Sequence, residues 1–272
     1  ATYGVPGASF DKVGMPPNQK FIGPTQTLPK NMVGSTAYEA TNQAVALALK
    51  HDQHKAQLQY SWQDIPYELY PNERMDMLGN EQSRFNLRYW GGYDWGKLEA
   101  QAYYERLNHF MDFGPNKQYN FGQSSLPYDK GQYVLGMPMN TNSNTTGVKV
   151  KGDVNISEGS LLRTGAEWQR YYLNDWWPAS GGSMGPNAFQ NVNGGLQQIS
   201  SVFAEWEKML HPQVKTTGGV RYSLVNSSTG NVHGYGSSMQ KMTNETVDAG
   251  VFNSANTYKN FNDVDVVLTT EY

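Results

Sequence analysis

The sequence contains no cysteine. That absence excludes a disulfide framework, a thiol nucleophile and any zinc site built on thiolates within this chain. It also lacks any run of the roughly eighteen apolar residues that a membrane-crossing helix needs. An excess of one charge is missing too: 21 Lys and Arg stand against 24 Asp and Glu, a formal net charge of -3 with a pI of about 6.0. Nothing in that balance points to nucleic acid as a partner. No phosphate loop or H-E-x-x-H occurs, so no enzymatic chemistry and no required cofactor is expected. The opening Ala1-Thr2-Tyr3-Gly4 lacks the basic-then-apolar layout of a secretory leader, which suggests a mature or shortened start.

Aromatic residues and glycine are plentiful: 18 Tyr, 7 Trp and 28 Gly among 272 residues, in a chain only 38% hydrophobic. A disordered chain would be poor in aromatics. The apolar residues are arranged with a period of two, the mark of strands that separate two environments. Val45, Leu47 and Leu49 share one face of 41–50, and Ala56, Leu58, Tyr60 and Trp62 oppose a row of polar residues in 55–63. Phe85, Leu87 and Tyr89 oppose Arg84, Asn86 and Arg88, and Leu98, Ala100, Ala102 and Tyr104 oppose Lys97, Glu99, Gln101 and Glu105. The alternation returns in 147–156, 161–171, 200–209, 213–224 and 261–272.

The connections alternate between short and long. Tight turns are expected near 51–54, 91–96, 157–160 and 210–212, and long loops over 64–81, 112–142, 174–195 and 225–260. A transmembrane β-barrel has this rhythm, with short turns on the periplasmic rim, long loops outside, an apolar lipid face and a polar lumen. Tyr60, Trp62, Tyr89, Trp90, Trp168 and Trp206, near strand ends, suit interfacial girdles. A soluble all-β protein with its polar face in water is the alternative. The count of about nine strands is odd, whereas bacterial single-chain barrels close with an even number. Either a further strand hides near 5–14 or the chain is part of a larger barrel.

The chemistry that stands out is His109 and Met111. At i and i+2 of one strand they share a face, here the polar one, where a long loop begins. A thioether is a soft ligand that favours copper, above all Cu(I), over Mg²⁺ or Ca²⁺; incidental packing is the alternative. Met75, Met77, Met137, Met139 and Met184 fall in the expected outer loops, as soft-metal contacts or as adaptable gap-fillers. His51 and His54 read as solvated turn residues. Glu205 and Glu207 read as lumen lining, and Asp175-Trp176-Trp177-Pro178 as a rim platform.

Several stretches together carry a resemblance. They are 63-QDIPYELYPNERMDMLGN-80, 94-DWGKLEAQAYYERLNHFMDFG-114, 136-GMPMNTNSNTTG-147, 167-EWQRYYLNDWWP-178, 185-GPNAFQNVNGG-195 and 203-FAEWE-207. The chain resembles the TonB-dependent outer-membrane receptors, in particular their copper-receptor branch, over about residue 60 to Tyr272. The resemblance implies an all-β, antiparallel transmembrane barrel of about 22 strands, of which residues 1–272 would supply nine or ten, without the plug domain and closing strands. It implies an outer-membrane receptor that takes energy from TonB and imports a metal ion, with copper as transported substrate and outer-membrane lipid as its surroundings. In that branch a His-x-Met pair of the barrel, matched by His109 and Met111, joins a Cys-x-x-x-Met pair of the plug, which has no counterpart here. A ferric-chelate receptor of the same architecture, with Tyr67, Trp176 and Trp177 holding an organic ligand, is one rival. A passive porin-like channel and a glycan-binding soluble β-protein are the others.

Overall fold

A computed structural model of the chain describes residues 31, 33–71, 73, 75–112, 137–179, 187–235 and 249–272. Nine strands follow one another along the chain: β1 (Tyr38–His51), β2 (His54–Glu68), β3 (Asp76–Tyr93), β4 (Gly96–Asp112), β5 (Met139–Ser157), β6 (Ser160–Trp177), β7 (Phe189–His211), β8 (Val214–Ser228) and β9 (Tyr258–Glu271). A single short helix, α1 (Ala249–Ser254), precedes β9. The strands form one sheet in sequence order, every neighbour antiparallel. Among the described residues β1 and β9 have no strand on their outer sides. The further strand considered near 5–14 lies outside the described residues.

Cross-strand pairing assembles the period-2 residues into continuous bands. Leu47 faces Leu58, Leu58 faces Leu87, Leu87 faces Ala102, Ala102 faces Val148 and Val148 faces Trp168. Farther along, Ala166 faces Val202, Val202 faces Tyr222 and Tyr222 faces Val264. This band has nothing stacked on it. Leu47 is 64% exposed, Val150 46%, Val220 48% and Val266 77%, and the buried hydrophobic residues among those described are Met77 and Ala249 alone. A water-soluble sandwich would bury such a band against a second layer. A barrel wall leaves it to hydrocarbon. No helix among the described residues is long and apolar enough to cross a membrane.

The opposite face is polar and tied by cross-strand ion pairs. Arg163 Nη1 reaches Glu205 at 2.7 Å and Glu207 at 3.1 Å, Arg221 pairs with Glu167 and Arg84 with Glu105. The carboxylates expected to line the lumen therefore do so as salt-bridge partners, each pair part-exposed and stabilising by about 0–1 kcal/mol. The inner turns are tight. Gly96, with φ +143, closes β3 onto β4 where a Cβ would stand 1.8 Å from the Asp153 carbonyl oxygen.

Two expectations need correction. The long outer loops are shorter than the alternation suggests: β3 begins at Asp76, β5 at Met139, β6 runs to Trp177 and β7 begins at Phe189. Strands of 14–23 residues exceed the 9–11 or so that span the hydrocarbon. Beyond it both faces turn polar, so the amphipathic signal fades while backbone pairing continues. His54 is also more than a solvated turn residue: its Nδ1 lies 2.8 Å from the Tyr89 hydroxyl, which in turn lies 2.6 Å from that of Tyr93.

Candidate functional site

The outer ends of β2 to β7 carry the site. On β4 the outward residues run Leu98, Ala100, Ala102, Tyr104 and then Arg106 and Asn108, so His109 and Met111 stand above the apolar band on the lumen face. Met111 lies directly opposite Met77 on β3 and Met139 on β5. Directly opposed residues share a face with Cβ atoms about 4.5–5.5 Å apart, so three thioethers form one row. The row continues onto β6, where Asn140 pairs with Trp176 and so sets Trp177 level with Met139; after register shifts around Asp175, Trp177 pairs with Phe189 on β7.

Simple alternation would have sent Met77 to the lipid side with Phe85 and Leu87. Two aligned irregularities bring it inward. β2 carries one residue more than β1 between Asp64 and Tyr67, and β3 one more than β4 between Met77 and Gly79. Each extra residue turns its strand over, so Glu68 and Met77, which remain partners, both reach the lumen row. Met77 is only 5% exposed there.

One repeat below lies a polar row. Asn80 faces His109, His109 faces Thr141, and Thr141 faces Asp175. His109 Nδ1 is 3.0 Å from Asn80 Oδ1. An amide oxygen only accepts, so Nδ1 donates and the Nε2 lone pair is left free for a metal, the arrangement that fixes a ligating imidazole. Burial holds His109 below the ordinary histidine value, and the Asp175 carboxylate partly offsets that; the neutral ring is the ligating form. Asp175 accepts from Thr141 Oγ1 and Asn191 Nδ2, both at 2.7 Å.

Carboxylates also pin the backbone that carries the methionines. Asp76 accepts from Ser35 Oγ at 3.1 Å and the Tyr70 amide at 2.8 Å. Asp112 accepts from the Met137 amide at 2.6 Å, which fixes the start of β5 beside β4. Beyond the methionines, the Phe189 ring is 5.3 Å from Trp177, edge-on, and 5.5 Å from Tyr235. Trp177 Nε1 and the Tyr235 hydroxyl are both buried without a hydrogen-bond partner among the described residues, a burden of about 1–3 kcal/mol each.

The structure thus keeps His109 and Met111 on one face and adds Met77, Met139 and Asn80 to them. Met75 and Met137 precede the strands and fall outside the row; Met184 lies outside the described residues. Tyr67, Trp176 and Trp177 are not one group. Tyr67 pairs with Glu39 on the outward phase and Trp176 is outward by alternation, which leaves Trp177 as the one on the lumen side. No cluster of three or more His, Cys, Asp or Glu suited to a metal occurs among the described residues.

No family model and no curated sequence matches this chain. Solved structures do. The chain is similar to the copper transporter OprC, with a TM-score of 0.59 and 16% identity over 86% of this chain and 34% of that one. It is also similar to the FrpB iron transporter from Neisseria meningitidis (F3-3 variant), with a TM-score of 0.51 and 14% identity over 85% of this chain and 33% of that one. It spans about a third of the length of these transporters. At these identities the likeness is one of fold: a portion of an antiparallel β-barrel.

Proposed function

We propose that the chain forms part of the wall of an outer-membrane, TonB-dependent importer whose transported substrate is copper. The observation that carries this reading is the row Met77–Met111–Met139 above His109. One imidazole and three thioethers make a soft donor set that favours Cu(I) over the hard cations. It requires no cysteine, and this chain has none. The iron-chelate alternative loses two of its three supporting aromatics to the outward face. A passive channel gives no reason for a bulge in two adjacent strands to bring a third thioether to the mouth.

In this reading copper is captured at the outer rim and bound by His109 Nε2 and the three sulfurs. Asn80 holds the imidazole in the ligating tautomer. Release inward is then driven through TonB by movement of a plug, and no covalent chemistry takes place. The test is metal content after gel filtration of the receptor polypeptide in detergent, loaded with Ag(I) as an air-stable mimic of Cu(I). Replacing Met77, Met111 and Met139 together by Leu, a volume-conserving change, is expected to abolish retained silver while the barrel still folds. Undiminished silver in that triple variant would sink the assignment.

A further inference from the structure

At the inner rim the apolar band ends in a cluster of rings on the outward face. His54 opens β2 on the same phase as Ala56 and Leu58 and stands directly opposite Gly91. Its Nδ1 lies 2.8 Å from the Tyr89 hydroxyl, which lies 2.6 Å from the Tyr93 hydroxyl. Gly91 makes room for this meeting: a Cβ there would strike the Tyr89 hydroxyl and the Tyr93 ring. The His54 and Tyr93 rings touch edge-on, centroids 5.2 Å apart, and Trp95 of the β3–β4 turn stacks on Tyr93 at 5.1 Å. Tyr93 is 38% and Trp95 42% exposed. The cluster is therefore open, and it lies between the apolar band and the turns, the level at which amphipathic rings meet headgroups.

We infer that His54, Tyr89, Tyr93 and Trp95 form a site for one phospholipid headgroup of the zwitterionic, ammonium-bearing kind, a phosphoethanolamine. The inference deepens the membrane-wall part of the proposed function, rests on it, and is independent of the metal. The hydrogen-bonded chain selects the phosphate. Whichever way its protons run, one donor is left over: the His54 Nε2–H when Nδ1 accepts from Tyr89, or the Tyr93 hydroxyl when Nδ1 donates. The edge contact of the two rings sets both ends side by side, and phosphate oxygens are strong acceptors at that level. The surrounding charges select the ammonium. Lys50, Lys55, Arg88 and Lys97, the cations of the inner half of β1 to β4, all have the lumen phase. His51, across from His54, is matched by Asp52 at 3.5 Å. An anionic headgroup thus gains no lysine or arginine here. The exposed Asp94 and the open ring surface of Trp95 beside it attract a cation instead. The acyl chains then lie over Leu58 and Leu87, a directly opposed pair of the band.

The test is native mass spectrometry of the receptor polypeptide from detergent micelles doped in turn with phosphatidylethanolamine, phosphatidylcholine and phosphatidylglycerol of the same acyl chains. The ethanolamine lipid should be retained about ten-fold more strongly than the glycerol lipid, with the choline lipid between them. His54→Phe combined with Tyr93→Phe keeps the rings and removes both terminal donors. It should cut retention of the ethanolamine lipid about ten-fold, the worth of one hydrogen bond to a charged group. Trp95→Leu, in an exposed turn where folding is not at stake, should abolish the preference for ethanolamine over glycerol lipid. Equal retention of all three lipids, a preference for the glycerol lipid, or an undiminished ethanolamine preference in both variants would overturn the site and leave the wall standing. A receptor that retains no lipid and stays dispersed without detergent would overturn the wall as well.

Discussion

The inner and outer halves of this sheet are built from the same strands but obey different rules. In the inner half alternation is unbroken from β2 to β8, charges are paired across the lumen face, and the ladder slips only beside the tight turns, at Asn155/Ser157 and Met209/His211. In the outer half the ladder slips within the strands, at Glu39/Thr41, Met77/Gly79 and around Asp175. There the side chains are thioethers, an imidazole and aromatics. Regular pairing makes a wall, whereas a binding site requires particular side chains to leave the regular pattern. In the proposed importer the irregularities mark where the candidate site departs from the wall.

Four variants would break or sharpen that contrast. The largest effect is expected from His109→Ala combined with Met111→Ala. Loss of a mere outer-shell partner costs about 10–100-fold in metal affinity, so loss of two ligands should lower it by at least about 100-fold. Calorimetric titration with Ag(I) measures this, and heat-modifiability on gels should show an intact barrel. Next is Val150→Arg on the lipid band of the inner half, expected to destabilise the inserted sheet by about 2–4 kcal/mol in urea unfolding from micelles, with metal affinity unaffected in whatever folds. An effect below about 1 kcal/mol would mean that Val150 does not face hydrocarbon.

Asn80→Ala comes third. It frees the imidazole tautomer and should reduce Ag(I) affinity about ten-fold with unchanged stoichiometry; an unchanged affinity would show that Asn80 does not orient His109. The smallest effect belongs to Arg163→Ala, which removes a part-exposed ion pair of the wall. It should cost no more than about 1 kcal/mol of stability and leave metal affinity alone. A loss of metal affinity in this variant would contradict the separation of wall from site.

The same contrast explains what could be read before any coordinates. All nine strands were visible, because one face of each meets lipid and alternation is then compulsory; Leu98, Val150 and Val220 could sit nowhere else. That His109 and Met111 share the lumen face is legible in the sequence because β4 is regular to its end. Met77 was not. Its sequence parity matches Phe85 and Leu87, and only the extra residues in β2 and β3 move it across. Pro66 and Gly79 at those places are the one local hint, since both residues are at home in bulges. Trp177 and Met139 were misplaced into loops because above the hydrocarbon neither face needs to be apolar. Tyr235 had no periodic signal at all. Its position comes from backbone bonds to Asn187 and from the clamp on Val232 by Asn253, contacts between residues far apart in sequence.

Among the described residues the two outer borders of the sheet, along β1 and β9, carry no further strand, which has a consequence for handling this polypeptide by itself. Each offers a ladder of free amides and carbonyls next to a greasy surface, the combination that seeds stacking of one copy upon the next. Without lipid or detergent, the isolated polypeptide should precipitate as β-rich aggregates rather than remain dispersed, and refolding should begin from micelles.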